Sequence, residues 1–361
     1  MRIAIGFNYK KQHMSPLFTA FNSPHFTRKK STLHHLPMWG KLYARYNDFY
    51  TQVNIAENFA GYTKTHSDGG GMLIAAQAHT DYYFVGDLHG NFEILVSIIC
   101  HACENSTHPH LIILGDAIDR GTDDFALLAL IQDCLMGAHQ EDFTLSYICG
   151  NHDFALDVKP GGFFYSAVTP ADTANHLNEL SKRGRASQAL ILGKAIIELA
   201  RTSPYMGELT WCDNEPTCLI FAHACPPHTD TQTELQQLFE GQKKENIFEN
   251  LPEELLYPCR DDFLRGLFRP QQTTVEANRG FQPTAQGTDD IASYFALHRA
   301  LTGRRVAGMV RGHDHVKQGF RHTPLSNGFI CTLNALGSGN TTVAAFNSQQ
   351  GLSFFRLEEG M

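Results

Sequence analysis

Three short apolar runs in this chain stop at a glycine and hand over to charged or coordinating side chains. They are Tyr82-Tyr-Phe-Val-Gly-Asp-Leu-His-Gly90, Leu111-Ile-Ile-Leu-Gly-Asp-Ala-Ile-Asp-Arg-Gly121 and Tyr147-Ile-Cys-Gly-Asn-His-Asp153. An unbroken apolar run closed by glycine is the pattern of a strand buried on both faces that delivers polar groups at its C-terminal edge. Helical periods lie between the runs, first through Ile94, Leu95, Ile98 and Ile99, then through Phe125, Leu127, Leu128, Leu130 and Ile131. Alternation of this kind predicts an α/β chain with a mixed or parallel sheet flanked by helices.

The rest of the chain extends this pattern. Residues 1–47 are expected to be irregular, broken by Pro16, Pro24 and Pro37, with a helix within Leu42–Phe59 and a flexible turn at Ser67–Gly71. Residues 175–201 carry a helical apolar face that Gly184 can split. Thr217–Ala222 is a strand ending at His223, and Arg305–Val310 a strand ending at Arg311-Gly-His-Asp-His315. The polar, Gln- and Glu-rich residues 228–300 between them are expected as an insertion at the rim, where such segments shape access. Phe329–Leu333, Thr342–Phe346 and Leu352–Leu357 alternate like a closing antiparallel sheet. The organisation expected is an N-terminal arm (1–79) packing on a main domain (80–361) that holds every motif.

Composition narrows the class. A hydrophobic content of 42% and charged content of 18% describe an ordinary globular chain. No apolar run long enough to span a membrane occurs, and the first ten residues lack the apolar core of a signal peptide. Nine scattered cysteines make no disulfide framework, so a reducing, cytoplasmic setting is expected. Net charge is −8, yet residues 1–47 hold eight Lys/Arg and no Asp or Glu, which leaves 21 basic against 37 acidic groups elsewhere. An acidic body repels nucleic-acid backbones, so no nucleic-acid partner is expected. The acid-poor start also suits a transit peptide, but it has no helical period; an extended arm is the preferred reading.

The residues that follow the strands are Asp87, His89, Asp116, Asn151, His223 and His313, with His315 a further candidate. This carboxylate–imidazole–amide set lacks thiolates and suits manganese, with iron and zinc as alternatives, rather than a soft or calcium site. The set exceeds what one catalytic ion with an open position needs. Two divalent ions sharing Asp116 explain the count, and such a pair can clamp both oxygens of a phosphoryl displacement.

At these residues the sequence resembles the calcineurin-like metallophosphoesterases and, within them, the PPP phosphoprotein phosphatases. The three signatures appear as Gly86-Asp87-Leu-His89-Gly90, Gly115-Asp116-Ala-Ile-Asp119-Arg120-Gly121 and Gly150-Asn151-His152-Asp153, with the late histidines at His223 and His313. The resemblance implies a four-layer α/β/β/α sandwich with two mixed sheets. It implies that Asp87, His89 and Asp116 hold one ion and Asp116, Asn151, His223 and His313 the other. His152 becomes the general acid, oriented by Asp119, while Arg120, Asn151 and a second arginine bind substrate phosphate. Arg260 is the first choice for that arginine and Arg265 the second; His315 can join the first ion. The implied activity is hydrolysis of phosphoserine and phosphothreonine in a protein substrate by a metal-activated water, with no phosphoenzyme. Cys149 and Asp153 stand where the family commonly has Arg and Glu, and Ala-Cys-Pro-Pro follows His223 where eukaryotic members have paired glycines. Those departures resemble the bacterial branch or an effector phosphatase secreted into a host cell, whose partners would be host proteins.

Other readings compete. The same motifs serve phosphotyrosine phosphatases and small-molecule phosphohydrolases of the diadenosine-tetraphosphatase type. A metal-free binding scaffold would not need every ligand position to be chemically competent. Cys100 and Cys103 with His108 and His110 hint at zinc, but Cys100 continues an apolar helix face and only one Cys-x2-Cys pair exists, so a core-facing pair is expected. His34, His35, His66, His139 and His298 have no motif context and are expected at the surface or capping backbone.

Overall fold

A computed structural model describes residues 28–30, 37–63, 71–225, 288–334 and 341–358. Strand β1 (Arg28–Lys30) is followed by helices α1 (Pro37–Tyr46) and α2 (Phe49–Thr63) and strand β2 (Gly71–Ala75). The first motif closes β3 (Tyr82–Val85) and leads into α3 (Phe92–Asn105); the second closes β4 (His110–Ile113) and leads to α4 (Asp124–Leu135). The third links β5 (Thr144–Tyr147) to the short helix α5 (Asn151–Ala155), after which β6 (Leu156–Lys159) and β7 (Phe163–Ser166) form a separate hairpin. Helices α6 (Asp172–Leu180) and α7 (Ala186–Thr202) follow, separated at Gly184, whose φ of 80° ends the first helical run. The chain then forms β8 (Met206–Cys212), β9 (Pro216–Ala222), α8 (Thr288–Thr302), β10 (Arg305–Arg311), β11 (Phe320–Leu325), β12 (Gly328–Leu333), β13 (Thr341–Asn347) and β14 (Gly351–Glu358).

Two six-stranded mixed sheets stack face to face, with orders β1-β14-β13-β3-β4-β5 and β11-β12-β10-β9-β8-β2. Side-chain alternation explains the stack. Tyr83, Val85, Leu111, Ile113 and Leu145 face one core, shared with α1–α4, α6 and α7. Tyr82, Phe84, Ile112 and Leu114 face the other, where they meet Leu219, Phe221, Val310 and Leu333 of the second sheet. Phe84 and Phe221 join the sheets with ring centroids 5.7 Å apart. On the far side of the second sheet, Met206, Cys218, Ile220 and Met309 pack on Ile291, Tyr294 and Phe295 of α8. Helices, sheet, sheet and helix make the four layers, and burial on both faces accounts for the unbroken apolar runs.

Strands β3, β4 and β5 run parallel, as do β9 and β10, so each set releases its motifs at one edge. That edge is where ligands gather in open α/β sheets.

Several expectations need correction. Residues 37–46 are helical rather than irregular: Pro37 starts α1, where its missing N–H costs nothing, and Trp39, Leu42 and Tyr46 form its buried stripe. The expected helix over Leu42–Phe59 is two helices, split around Asn47–Asp48. The last three strands do not form one closing sheet, since β12 pairs with β10 and β11 while β13 and β14 pair with each other and with β3. His298 is buried, its Nε2 2.7 Å from Oε1 of Glu208, which also accepts from Arg304. The core-facing pair expected at Cys100 and Cys103 is present: Cys100 is buried and Cys103 half-buried against the same core, both as free thiols. No helix among the described residues is long and apolar enough to cross a membrane.

Candidate metal centre

Each motif loop is built so that a buried side chain can reach the edge between the sheets. Five of the seven non-glycine residues with positive φ among the described residues lie here: His89, Asp116, Asp119, Arg120 and His313. Non-glycine residues adopt that conformation at a cost, and such strain gathers where side chains must be aimed. Gly115, at φ 99°, lets the second loop pass close to the third: a Cβ there would meet Cα of Gly150 at 2.7 Å and Nδ1 of His223 at 2.8 Å.

Two groups of potential ligands result, Asp87–His89–Asp116 and Asp116–His223–His313, each with ligand atoms within 4.8 Å of one another. Asp116 belongs to both. Its Oδ2 lies 3.9 Å from Nε2 of His89 and 3.4 Å from Nε2 of His223, while Oδ2 of Asp87 lies 3.8 Å from Nε2 of His89. Asn151 Oδ1 is 2.9 Å and His313 Nδ1 3.1 Å from the same nitrogen of His223. Asp87, His89, Asp116 and His223 are all nearly inaccessible to solvent.

The donors fit divalent ions in detail. His89 Nδ1 donates to the Ile118 carbonyl at 2.9 Å and His223 Nδ1 to the Leu114 carbonyl at 2.7 Å, which turns each Nε2 inward, that of His89 towards Arg120 and the two carboxylates and that of His223 towards Asp116 and Asn151. Fixing the outer nitrogen in this way is how proteins orient metal-binding imidazoles. Burial lowers the His89 pKa to about 4 and that of His313 to about 3, so both rings are neutral at physiological pH. Burial pushes Asp87 up to about 6 against the attraction of His223, and pushes Asp116 up as well, but His223, His89 and His152 outweigh it and hold Asp116 well below the usual carboxylate range. His223 is drawn up to about 9, since the pull of Asp116 and Asp87 overcomes its burial. Two carboxylates with ligand atoms within 4.8 Å of a shared set of imidazoles, with the Arg120 guanidinium alongside, are donors that suit divalent cations.

Beside the two groups stand the residues expected to act on a substrate. His152 Nδ1 lies 2.7 Å from Oδ2 of Asp119, and burial, which lowers its pKa, is outweighed by that hydrogen bond and by Asp116, so His152 is raised above the ordinary value. The Arg120 guanidinium lies among three imidazoles, with Nη1 2.8 Å from His89 Nε2 and 3.5 Å from His315 Nε2, and Nη2 3.4 Å from His152 Nε2. His315 is exposed and belongs to neither ligand group, standing instead at the Arg120 side of the site. Arg260 and Arg265 lie outside the described residues, as does most of the 228–300 insertion.

Three residues support the site through contacts that the motifs alone do not show. Asp153 accepts from the amides of Ala117 and Gly150, each at 2.9 Å, and from the Tyr147 hydroxyl, so it ties the second motif to the third. Its third position in α5, reaching back to the amide before the helix, was the available signal. Arg311 is fully buried between Cys225 and Asp314, bridging the loops that carry His223 and His313. Thr173 of α6 bonds Asp119 twice, its hydroxyl accepting the Asp119 amide and its own amide donating to the Asp119 carboxylate; nothing local in the sequence marks it.

A family model described as calcineurin-like phosphoesterase matches residues 81–317, which include every residue of the two ligand groups. No curated protein matches the chain by sequence. Among solved structures, a serine/threonine phosphatase from Saccharomyces cerevisiae is similar at 15% identity and a TM-score of 0.56, over 87% of this chain and 91% of that one. A putative diadenosine tetraphosphatase is similar at 16% identity and a TM-score of 0.38, over 80% and 100%. A cold-active protein-tyrosine phosphatase from a psychrophilic Shewanella is similar at 13% and 0.40, over 78% and 83%. The yeast likeness is one of fold.

Proposed function

Since the chain belongs to the calcineurin-like phosphoesterase family, we propose that it is a metal-dependent phosphoprotein phosphatase that hydrolyses phosphoserine and phosphothreonine monoesters. The observation that carries this reading is the Asp119–His152 pair, 2.7 Å apart beside the two ligand groups. A serine or threonine alkoxide is a poor leaving group and needs a proton as its bond to phosphorus breaks. A phosphate leaving group, as in a dinucleoside polyphosphate, needs one far less. A buried imidazole whose protonated form is favoured by a carboxylate is the donor such an ester requires.

Asp87, His89 and Asp116 would hold one divalent ion, and Asp116, Asn151, His223 and His313 the other. When bound, the pair supplies Lewis-acid neutralisation of the phosphoryl oxygens and a more acidic water as nucleophile. The rest falls to the chain's own side chains. Arg120 orients the phosphate through its planar fork, as a fixed cation does for a developing anion. His152 Nε2 gives its proton to the ester oxygen as water oxygen bonds to phosphorus, releasing the alcohol and inorganic phosphate, and Asp119 holds the ring throughout. On donor chemistry, manganese is the first ion to test, then iron and zinc.

The test is turnover of phosphoserine, phosphothreonine and phosphotyrosine peptides beside diadenosine tetraphosphate with added Mn²⁺. Faster turnover of the first two supports the reading. Preference for the tyrosine peptide or the dinucleotide moves the activity to another ester on the same centre, and no turnover of any of them rejects it.

A further inference from the structure

Helix α6 lies outside every motif, yet its first turn is bonded to the residues that would deliver the proton and hold the phosphate. Ala171 precedes this helix and has no side chain able to cap it, so its first amides need outside acceptors. Asp119 supplies one: its Oδ1 accepts the Thr173 amide at 2.9 Å, while its Oδ2 is the atom bonded to His152. The Thr173 hydroxyl then accepts the Asp119 amide at 3.1 Å and donates to Oδ2 of Asp124 at 2.7 Å. Oδ2 of Asp172 accepts the Arg120 amide at 3.1 Å. Asp119 and Arg120 both have positive φ, 68° and 65°, so this stretch of backbone needs external support. Thr173, Asp119 and Asp124 are essentially inaccessible to solvent, so these contacts do not compete with water.

We propose that the first turn of α6 is a positioning element of the catalytic site, with Thr173 acting through Asp119 to aim His152 at the leaving oxygen. This rests on the reading of His152 as the general acid. The Thr173 hydroxyl pins both ends of the second motif's tail: the Asp119 peptide on one side and the first turn of α4, through Asp124, on the other. A Cβ at Gly90 would meet Oδ1 of Asp124 at 2.4 Å, so the first motif rests on the same carboxylate. Replacing Thr173 by valine keeps its shape and its backbone bond to Asp119 but leaves the Asp119 amide and the Asp124 carboxylate without their shared partner. The Asp119 carboxylate, and the imidazole it holds, then lose their fixed direction. Misaimed general acids lose part of the roughly 10²–10⁴-fold they contribute, and the loss concentrates on substrates whose leaving group needs the proton.

The experiment compares phenyl phosphate, which needs that proton, with p-nitrophenyl phosphate, which needs it much less. It uses the Mn²⁺-loaded full chain as wild type, Thr173→Val, Thr173→Ser, His152→Ala and the Thr173→Val/His152→Ala double variant. His152→Ala must lower the phenyl to p-nitrophenyl ratio of kcat; an unchanged ratio there rejects the general-acid reading itself. Given that drop, Thr173→Val is expected to lower the same ratio about tenfold and Thr173→Ser to restore it. In the His152→Ala background, Thr173→Val is expected to add less than about twofold, because residues acting through one group are not additive. A Thr173→Val loss that falls equally on both esters, or that persists in full without His152, overturns the proposal while leaving the acid in place. Thr173→Ala carries the same comparison if the valine variant does not fold.

Discussion

Oδ1 of Asp116 accepts the backbone amide of His152 at 2.8 Å, so the carboxylate shared by the two ligand groups also anchors the residue expected to protonate the leaving group. The roles expected in binding and in chemistry therefore meet in one side chain. Its second oxygen, Oδ2, faces His89 and His223.

Asp116→Asn separates the two roles only partly, because an amide oxygen can still accept from His152 while the amide nitrogen repels a cation. Loss of a supporting partner around a metal typically costs about 10–100-fold in affinity or activity, and a shared ligand should cost at least the upper end. The expected outcome is a chain binding fewer than two equivalents of Mn²⁺, with kcat down about 10²-fold or more. Metal content after gel filtration and steady-state rates check it; two retained equivalents would show that Asp116 is not shared.

Gly150 is where the second and third loops touch. A Cβ there would meet the Asp116 amide at 2.1 Å and Oδ1 of Asp116 at 2.2 Å. Both are too close for any relaxation short of moving Asp116. Gly150→Ala is expected to abolish activity and cut metal affinity about tenfold or more while far-UV circular dichroism stays near that of the wild type, since only loop contacts at the sheet edge are displaced. Isothermal titration with Mn²⁺ against the wild type measures it.

The legible part of this chain is the part in which neighbours in sequence are neighbours in function. Tyr82–Val85 shows itself as a strand because both faces are buried and every residue is apolar, and Asp87 and His89 follow within the same loop. His223 and His313 were readable for the same reason, each directly beyond a buried strand. What stayed hidden is carried by contacts distant in sequence. Thr173 reaches Asp119 across 54 residues. Strand β8 was missed because Gly207 and Glu208 spoil its pattern. Gly207 makes room for the Phe221 ring, which a Cβ would meet at 2.4 Å, and Glu208 is matched by His298 and Arg304 from elsewhere in the fold. Helix α1 was missed because Pro37, read as a breaker, is a starter at a helix's first position.

Asp153 offers a test of support without direct contact with substrate. It satisfies two buried amides and the Tyr147 hydroxyl, and burial, with Asp116 nearby, raises its pKa to about 6 against those hydrogen bonds. Asp153→Ala leaves those donors unsatisfied, at about 1–3 kcal/mol each, so the unfolding free energy should fall by several kcal/mol. Tyr147→Phe, which removes one donor and exposes nothing, should cost only about 1 kcal/mol. Urea unfolding of both variants checks the order, and equal losses would mean that the amide contacts contribute little.

On the face of the second sheet that packs on α8, Glu208 sets an acid limit on stability. Burial raises its pKa, but His298 and Arg304 outweigh burial and hold Glu208 below the ordinary glutamate range. A carboxylate depressed in the folded state contributes stability that is complete above its unfolded pKa. That contribution is lost as pH falls through the folded value. Glu208→Gln keeps an oxygen that can accept from His298 or Arg304 but removes the buried negative charge opposite Arg304, and should cost up to about 3–5 kcal/mol at neutral pH, as breaking a buried ion pair does. The gap between wild type and variant should then close as pH falls below the ordinary glutamate range and through the depressed folded value, because the wild-type carboxyl becomes protonated and the variant has nothing to lose. Thermal unfolding of both proteins across that range measures the gap; a difference that stays constant with pH would show that the carboxylate charge is not what fastens α8 to the second sheet.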